Sequence, residues 1–382
     1  MLIKLKRING HTRGDFSSTP VSKTSKNRMQ NFFEFSLESL QEFLLKNGFE
    51  KYRAKQIFEA VYKNKIFTPE QFPSISVKLK NFLTENFCFC EAKLVGNKYS
   101  SDETHKYLFE LHDGCFVESV MLKAPSDDGK IRKTLCMSTQ VGCASGCKFC
   151  ASAMHGFVRN LTAGEILAQT LPFVEEFSNN GKKERKFEFE NIVVMGMGEP
   201  LANFDNLLKA LNVLNASDKF AFGARRITVS TCGIADKIRK LAEIKFPFRL
   251  AISLHGASDE IRTQIMPINK KYPLSEVLSA AKEFSNVCGR MITLEYILIA
   301  DVNDSFQQAN KLADIAKTLH AHVNLIPYNT VEGLPWKRSD ASRRKAFADI
   351  LERAKVSFTL RREKGSEIDA ACGQLALKKK SK

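Results

Sequence analysis

Three cysteines stand within eight residues, at Cys143, Cys147 and Cys150, in the stretch CASGCKFC. The run TLCMSTQV before them, at 134–141, is typical of a β-strand, so the spacing predicts a tight turn whose three thiols converge on one point. Three thiolates can hold three corners of a four-iron, four-sulfur cluster and leave the fourth iron open to a small molecule. Phe149 completes the pattern CxxxCxΦC, where Φ is aromatic. The turn therefore predicts a cluster with one open position.

A structural zinc site is the alternative interpretation of the same cysteines, with His155 as the fourth ligand. Zinc sites more often bring their cysteines in two pairs and close with four protein ligands. The spacing alone leaves both kinds of site open, and segments farther along the chain favour the cluster.

The charge balance favours an acidic partner. The chain of 382 residues carries 58 Lys and Arg against 42 Asp and Glu, a net charge of +16. Such an excess favours nucleic acid, since each phosphate contact releases counterions, although a basic surface can also serve solvation alone. The ten cysteines do not form the pattern of a secreted disulfide framework. With no evident signal peptide and no apolar run of membrane-spanning length, we expect a cytoplasmic protein without a membrane partner.

The N-terminal part divides into a basic arm and a helical domain. Residues 1–30 are rich in Lys and Arg and lack periodicity, which predicts a disordered arm. Residues 31–90 predict three helices, the first capped near Ser36, the second from Tyr52 to Lys63 and the third from Val77 to Asn86. We interpret this domain as an accessory RNA-binding domain; a packing domain with a solvated basic face is the alternative.

Residues 91–133 predict a β-hairpin region that links this domain to the rest of the chain. Two apolar runs, 106–111 and 115–122, flank a turn at Asp113-Gly114, which is a hairpin signal. Glu118 lies in the second run among apolar residues. From the residues alone, it is interpreted as an exposed strand carboxylate.

From residue 134 to 375, strands and helices alternate. Six βα units without internal repeats predict an α/β fold built on an open, partial (βα)6 barrel, whose catalytic groups should lie at the C-terminal strand ends. A basic tail follows at 376–382. The predicted strands are 134–141, 191–196, 226–231, 248–254, 291–299 and 322–327, and the predicted helices are 162–178, 205–215, 235–244, 275–286 and 305–319.

Polar segments fall at five of these strand ends, which predicts a binding site on one face of the barrel. Glycines such as Gly198 let a backbone approach a ligand closely, and Glu199 can accept from an ammonium group. Taken singly, Gly-Glu-Pro is an ordinary turn, and Ser253 or Asn329 an ordinary cap. Cys372, among small residues near the C-terminal end, is on its own an unremarkable thiol. The segments are CASGCKFC at 143–150, GMGEP at 196–200, STCG at 230–233, SLHG at 253–256 and PYN at 327–329.

These segments together resemble the RlmN/Cfr family of radical S-adenosylmethionine (SAM) RNA methyltransferases, over about residues 36–375. Gly-Glu-Pro at 198–200 and Ile-Pro-Tyr-Asn at 326–329 resemble the branch that methylates carbon 2 of adenine, whereas the carbon-8 branch tends to have Ala after the Glu and Arg before the Tyr. The shared motifs are CMSTQVGCASGCKFC, GFVRNLTAGEI, MGMGEPLAN, RRITVST, SLHG, MPIN, VNLIPYN and IDAACGQL.

The resemblance implies a radical SAM barrel and a set of cofactor contacts. Cys143, Cys147 and Cys150 would hold one [4Fe-4S] cluster, whose open iron binds the amino and carboxylate groups of SAM. Two SAM molecules would be used per turnover. The SAM-contacting positions implied by the family are Gly198, Glu199, Ser230, Ser253, Leu254, His255 and Asn329.

The resemblance also implies the catalytic residues. Carbon 2 of adenine is electron-poor and cannot attack a SAM methyl group, but a carbon radical can add to it. Cys372 would take a methyl group from one SAM; a second SAM would be cleaved to a 5′-deoxyadenosyl radical, which turns that methyl into a methylene radical that joins protein and RNA. Cys136 would then attack the Cys372 sulfur and free the methylated base by forming a disulfide. Glu118 matches the family's candidate proton-handling carboxylate. The chain departs from the family by extra residues around 126–133 and by Cys232 in place of a frequent Ser.

The implied substrates are an adenine at the peptidyl transferase centre of 23S rRNA and the adenine just 3′ of the tRNA anticodon, with base extrusion for a buried adenine. An electron donor such as flavodoxin and a monomeric state are further expectations. Three rivals remain open at this point: a carbon-8 methyltransferase, a non-catalytic RNA-binding protein with a structural metal knot, and a radical SAM enzyme acting on a peptide.

Overall fold

The computed structural model describes residues 29–125, 129–154, 156–179, 182–361 and 364–375. Nearly all of the predicted basic arm, the tail 376–382, part of the extra segment around 126–133, and His155 lie outside the described residues. Within those ranges, no helix is long and apolar enough to cross a membrane.

The helices are α1 (Leu37–Lys46), α2 (Tyr52–Phe58), α3 (Val77–Asn86), α4 (Ala151–Met154), α5 (Ala163–Ala168), α6 (Phe204–Asn215), α7 (Ala235–Glu243), α8 (Asp259–Ile265), α9 (Leu274–Cys288), α10 (Phe306–Leu319) and α11 (Ala341–Arg353). The strands are β1 (Gln30–Asn31), β2 (Phe87–Cys88), β3 (Ala92–Tyr99), β4 (His105–Leu111), β5 (Phe116–Pro125), β6 (Ile131–Cys136), β7 (Gln140–Gly142), β8 (Phe157–Asn160), β9 (Val174–Asn179), β10 (Lys182–Phe187), β11 (Asn191–Val194), β12 (Ile227–Thr231), β13 (Arg249–Ser253), β14 (Thr293–Leu298), β15 (His322–Pro327) and β16 (Phe358–Leu360).

The three predicted N-terminal helices are present. Helix α1 begins at Ser36, whose hydroxyl accepts the backbone N–H of Ser39 at 3.1 Å while the Ser39 hydroxyl accepts that of Ser36 at 2.9 Å. Such a reciprocal cap satisfies two donors that the helix itself leaves open. The predicted second helix is α2 continued by a π-helical turn over Glu59–Lys63.

Aromatic rings join this helical part to the barrel. Phe220, which follows α6, packs against the rings of Phe33 at 6.1 Å, Tyr62 at 5.1 Å and Phe187 at 5.4 Å between centroids. The helical part and the barrel therefore share one hydrophobic core. Burial of rings from both parts makes this contact an important source of stability.

The central sheet confirms the predicted barrel. It has ten strands in the order β16-β15-β14-β13-β12-β11-β6-β5-β4-β3. The six strands predicted for the barrel, β6 and β11 to β15, pair in parallel with their neighbours, and β16 adds one more parallel strand. Strands β3 to β5 extend the same sheet in antiparallel fashion, because β5 pairs with β6 and places Val120 opposite Cys136. The predicted hairpin is thus continuous with the barrel sheet.

The helix predicted over 162–178 is wrong beyond its first half. Helix α5 ends at Ala168, and β9 pairs with β10 as an antiparallel hairpin over the following residues. Pro172 disfavours a helical conformation for the residue before it, and Asn180-Gly181 is a hairpin dipeptide. The capping box of Thr162 and Glu165 is formed, but it determines only where the helix begins.

The strand predicted over 134–141 is also wrong in its extent. Strand β6 ends at Cys136, and β7 leaves the central sheet to pair with β8. The backbone N–H groups of Met137 and Thr139 instead donate to Val193 and Met197 near the end of β11. The cysteine turn therefore connects two short strands, β7 and β8, and lies above the C-terminal ends of the barrel strands.

Candidate functional site

A cavity opens at the C-terminal ends of the barrel strands, where the parallel arrangement predicts it. Its wall contains all three cysteines of the turn, and Cys372 from the C-terminal segment faces the same space. Of the predicted cofactor contacts, five line this cavity, namely Gly198, Glu199, Ser230, Ser253 and His255. The structure therefore brings together residues that are far apart in the sequence, from Cys143 to Cys372.

The cysteine turn is fixed at its base and at its centre. Gly142 has a φ of 74°, and a Cβ there would lie 1.8 Å from the carbonyl oxygen of Gly156, so only glycine lets β7 and β8 cross so closely. The backbone N–H of Lys148 donates to the carbonyl of Ile265 at 2.9 Å, which holds the turn on the end of α8. Burial raises the pKa of the Cys147 thiol well above its ordinary value.

The surroundings of these cysteines fit an iron–sulfur cluster. Arg262 is fully buried; its guanidinium donates to Asn269 Oδ1 at 2.6 Å and to the carbonyl of Cys232, while its buried Nε has no partner in the part of the chain described here. A buried cation is costly unless negative charge is nearby. Asp259 interacts electrostatically with Arg262, as do the thiols of Cys147 and Cys232, and the thiolates of a cluster would add to this negative charge.

The zinc interpretation requires a site for a single metal ion. Across the described ranges, no three His, Cys, Asp or Glu side chains are arranged to hold one ion. His155, the fourth ligand of the zinc interpretation, lies outside these ranges. A four-iron cluster differs from a single ion in that each thiolate binds its own iron.

Glu199 holds the loops of the cavity wall. One carboxylate oxygen accepts the backbone N–H of Leu201 at 2.9 Å, and the other accepts that of Cys232 at 2.7 Å. Burial raises the pKa of this carboxyl group, and the two hydrogen bonds oppose that shift. Its position on the cavity wall still allows it to accept from an ammonium group.

The glycine of the Gly-Glu-Pro turn is required by the protein itself. Gly198 has a φ of 100°, and a Cβ there would lie 2.5 Å from Cβ of Gln140. We expected this glycine to let the backbone approach a ligand; the close approach is instead between two segments of the chain. A Cβ on Gly196 would likewise lie too close to the backbone of Met137. Gly198 nevertheless remains part of the cavity wall.

Three polar side chains complete the opposite wall. The hydroxyls of Ser230 and Ser253 are 3.3 Å apart and hydrogen-bonded to each other. The backbone N–H of Ile297 donates to Nδ1 of His255 at 3.1 Å, which leaves the proton of the neutral ring on Nε2. Burial lowers the pKa of His255 to about 3, so the imidazole is neutral near pH 7. Phe149 packs edge-on against this ring, with centroids 5.0 Å apart.

Two predicted cofactor contacts are not part of the cavity wall. Leu254 is fully buried, and its backbone N–H donates to the carbonyl of Glu295 at 3.0 Å. Asn329 donates from Nδ2 to the carbonyl of Cys372 at 3.2 Å, and its Oδ1 accepts from Arg338 at 3.3 Å. In this arrangement Asn329 positions the C-terminal segment.

The two predicted catalytic cysteines are neighbours in unlike surroundings. Cys372 is exposed and lines the cavity, with Nη1 of Arg361 3.7 Å from its sulfur. Cys136 is buried behind the wall, and burial raises its pKa to about 12, with the nearby Cys372 adding to that shift and Arg361 opposing it. Both are free thiols in this structure.

Sequence reasoning missed two charged residues of the cavity. Glu295 is buried in β14, where burial raises the pKa of its carboxyl group, and it accepts from Nδ2 of Asn324 at 2.8 Å. Arg361 follows β16 directly, and its backbone N–H donates to Leu325 on β15. A carboxylate within an apolar strand was the available signal for Glu295; for Arg361 the only signal was its place at a strand end.

Glu118 is buried, so its interpretation as an exposed strand carboxylate is wrong. Strand β5 lies inside the ten-stranded sheet between β4 and β6, which covers a side chain that a terminal strand would leave open. One carboxylate oxygen lies 3.0 Å from Nζ of Lys106. Glu118 does not line the cavity but stands beside it, on the strand that pairs with Cys136.

Comparison with known proteins places the chain among similar sequences and structures. A profile of the radical SAM superfamily matches residues 137–313. The protein named probable dual-specificity RNA methyltransferase RlmN 3 from Opitutus terrae is 54% identical over 348 residues, 90% of this chain and 93% of that protein. The RlmN proteins of Akkermansia muciniphila and Clostridium novyi are 48% and 43% identical, over 90% and 91% of this chain and 94% and 98% of their own lengths.

A solved structure agrees with these relatives. The crystal structure of a radical SAM methyltransferase from Sphaerobacter thermophilus superimposes with a TM-score of 0.82 at 37% identity, and covers 91% of this chain and 99% of that one. The match extends over the helical part, the antiparallel strands and the barrel together.

Proposed function

The chain belongs to the RlmN family of radical SAM RNA methyltransferases, and we propose that it methylates carbon 2 of an adenine in 23S rRNA and of the adenine 3′ of the anticodon in tRNA. The family resemblance and the radical SAM fold predicted from the motifs are thereby confirmed, and the protein is a SAM-dependent RNA methyltransferase. The choice of two RNAs is supported by the dual specificity in the relatives' names. Pro200 and Pro327, as argued from the motifs, support carbon 2 over carbon 8.

One observation carries the proposal: Cys372 opens into the same cavity as the three cysteines of the turn, with Cys136 just behind it. A methyltransferase that moved a methyl group straight from SAM to a nucleophile would need no thiol at this point. Carbon 2 of adenine is electron-poor, so a carrier on which the methyl group can be activated is chemically necessary. Cys372 is the residue placed to be that carrier.

Family membership implies SAM and one [4Fe-4S] cluster. We propose that Cys143, Cys147 and Cys150 hold the cluster, which when bound supplies the electron for SAM cleavage, and that two SAM molecules are consumed per turnover. We propose further that a protein such as flavodoxin delivers the electron. The proposed SAM contacts are the cavity-lining Gly198, Glu199, Ser230, Ser253 and His255, with Leu254 and Asn329 behind them.

Side chains of the protein carry out the remaining steps of the reaction. The exposed Cys372 sulfur carries the methyl group and becomes bonded through it to the adenine. Glu118 accepts the proton of carbon 2, and the one electron that the adduct must also lose would return to the cluster when it is bound. The Cys136 sulfur then attacks the Cys372 sulfur: the S–S bond forms, the S–C bond breaks with its electron pair on the departing carbon, and that carbon takes a proton. An external dithiol must reduce the disulfide before the next cycle.

We propose that the helical part, residues 31–90, is the accessory RNA-binding domain. Lys55, Lys63 and Lys78 are exposed on it, and the whole chain has a net charge of +16. Phosphate contacts from such a surface would supply much of the affinity for either RNA. With both RNAs as substrates, we place the protein in the cytoplasm, acting as a monomer.

Nucleoside mass spectrometry of 23S rRNA and tRNA, incubated with and without the protein, tests the target. We expect 2-methyladenosine in both RNAs. Appearance of 8-methyladenosine would replace the carbon-2 assignment, and 2-methyladenosine in rRNA alone would remove tRNA from the proposal. No new methyladenosine, from protein with an intact cluster, would leave the peptide substrate or the binding protein as the function.

The cysteine roles are tested by two variants. Cys372→Ala should abolish methyl transfer to RNA, because the carrier is gone. Cys136→Ala should leave protein covalently joined to RNA, seen as an RNA-dependent shifted band on a denaturing gel. Cys288→Ala, at the end of α9 and outside the cavity, is the matched control and should act as wild type. Methylated RNA from Cys372→Ala would contradict the mechanism.

A further inference from the structure

The C-terminal segment that carries Cys372 is held on one side by the turn between β3 and β4. The Ser101 hydroxyl donates to one oxygen of Glu367 at 2.6 Å, and its backbone N–H donates to the other at 3.0 Å. The backbone N–H of Gly365 donates to Oδ2 of Asp102 at 2.6 Å. These contacts anchor the segment to the antiparallel strands, at a distance of several residues from Cys372 itself.

Lys106 on β4 makes a deeper contact with the same segment. It is a buried residue, 7% exposed. Its ammonium group lies 3.0 Å from Oε1 of Glu118 and donates to the carbonyl of Asp369 at 3.2 Å. Lys106 and Asp369 are 263 residues apart in the sequence. One buried cation therefore touches both the proposed proton acceptor and the backbone that leads to Cys372.

Stability alone is a weak reason to keep such a pair. Removing both charges from water costs several kcal/mol per ion, so replacing a buried ion pair by apolar residues is often neutral or stabilising. Loss of one partner is different, because it leaves the other charge buried without compensation. A buried ion pair beside a catalytic segment is therefore better explained by the geometry that it imposes.

The backbone at the contact point is itself constrained. Asp369 has a φ of 52°, in the left-handed region that costs a residue other than glycine about 1 kcal/mol or more. The carbonyl that Lys106 binds thus belongs to a turn that ends just before Ala370, Ala371 and Cys372. Lys106 stabilises this turn from the antiparallel strands, while Asn329, just after barrel strand β15, binds the Cys372 carbonyl.

We propose that Lys106 is a positioning residue for methyl transfer, which orients the Glu118 carboxylate and seats the Cys372 segment at the same time. The proposal rests on the proposed function, since it takes Glu118 as the proton acceptor and Cys372 as the carrier. When the segment is docked, the ammonium binds both partners. When the segment leaves, Lys106 keeps Glu118 and loses the Asp369 carbonyl.

The experiment compares Lys106→Met, Lys106→Arg and Lys98→Met in the full-length, cluster-loaded protein. Lys98 lies opposite Lys106 on β3 but is exposed, so its replacement removes the same charge without touching the buried pair. Two quantities are measured: the decay rate of the covalent protein–RNA adduct in a single turnover, and the amide hydrogen exchange of residues 364–375.

For Lys106→Met we expect adduct decay slowed about tenfold or more, because the Glu118 carboxylate loses the ammonium group that fixes its position. We also expect faster exchange over 364–375, because the Asp369 carbonyl loses the hydrogen bond from Lys106. Lys106→Arg should restore most of both, and Lys98→Met should match wild type. Wild-type decay in Lys106→Met, or equal effects of Lys106→Met and Lys98→Met, would overturn the proposal.

A second variant keeps the test valid if loss of the buried ammonium group alone prevents folding. Lys106→Met combined with Glu118→Gln removes both members of the ion pair, and exchange over 364–375 should still exceed that of Glu118→Gln alone. Equal exchange in these two would contradict the seating role. Failure of the proposed function is recognised separately, as wild-type protein that forms neither adduct nor methyladenosine, and the exchange measurement remains informative in that case.

Discussion

At the scale of single residues, Cys136 and Cys372 are the same side chain in opposite surroundings. Cys136 is buried at the end of β6, and its pKa is raised to about 12, so its proton must be removed within the exchange step. Cys372 is exposed, with the Arg361 guanidinium nearby. An exposed Cys372 suits a carrier that must reach both SAM and the RNA. A buried Cys136 suits a thiol that reacts only in the last step.

This difference predicts selective alkylation. Brief treatment of the reduced native protein with iodoacetamide should modify Cys372 far faster than Cys136, as read by peptide mass spectrometry, because the reagent needs an accessible thiolate. Unfolded protein should lose the distinction. Equal modification of Cys136 and Cys372 in the native protein would contradict the burial of Cys136.

The sequence predicted the parts of the site that lie at strand ends, and it missed the parts that depend on contacts between residues distant in the chain. The cysteine spacing and the polar strand ends predicted most of the cavity wall, because parallel strands bring their C-terminal ends together whatever the details. Lys106 and Glu295 were not predicted, since their roles depend on contacts across the sheet and on burial that no local pattern expresses. Asn329 was predicted as a cofactor contact, whereas its hydrogen bond to the Cys372 carbonyl was not predicted.

At the scale of elements, a buried carboxylate fastens the turn of the β4–β5 hairpin to the start of α5. Glu165 is fully buried and accepts from both Nη atoms of Arg159, at 2.7 and 2.8 Å, and from the backbone N–H of Thr162 at 2.9 Å. Arg159 on β8 also donates to Asp113 in the hairpin turn at 2.6 Å. One guanidinium therefore joins β8, α5 and the hairpin.

Arg159→Met should lower the free energy of unfolding by about 3 kcal/mol, because Glu165 stays buried without its cation. Denaturant unfolding followed by circular dichroism measures the loss. Lys183→Met removes a lysine from an exposed ion pair with Glu176 on the β9–β10 hairpin and should cost about 1 kcal/mol at most. Similar losses in the two variants would show that the burial of Glu165 does not matter.

Elements were predicted well where one signal dominated. Ser36 and Thr162 cap helices as their sequences indicate, and the predicted third helix has the observed bounds. The helix predicted to 178 failed because the cap at Thr162 determines only where a helix begins, and Pro172 and an Asn-Gly pair lie farther along the chain. The strand predicted to 141 failed because β7 pairs with β8, a partner that only the folded turn brings near.

At the scale of the whole molecule, the aromatic contacts of Phe220 make the helical part and the barrel one unit. The sequence predicted both parts but not their junction, since Phe33, Tyr62 and Phe187 carry no pattern that points to Phe220. The same holds for the antiparallel strands, which the sequence described as a separate hairpin and the structure joins to β6. Long-range packing of this kind is decided by shape and not by local periodicity.

Phe220→Ala should therefore weaken the whole protein and not one part alone. Truncation of a buried phenylalanine costs about 3–5 kcal/mol, and we expect a lower melting temperature with increased proteolytic cleavage in residues 31–90. Phe306→Ala, at an exposed position on α10, is the matched control and should change little. A normal melting temperature in Phe220→Ala would mean that the two parts are stable without their junction.

The pairing of β6 has a consequence for how the two cysteines come together. Cys136 lies on a strand that is hydrogen-bonded by β5 on one side and by β11 on the other. Cys372 lies on a segment outside the sheet, joined to its surroundings by separate hydrogen bonds from Lys106, Asn329 and Ser101 and from the Ala151 backbone to the Gly373 carbonyl. We therefore expect any movement that brings the two sulfur atoms together to come from this short segment, with the sheet as the fixed reference.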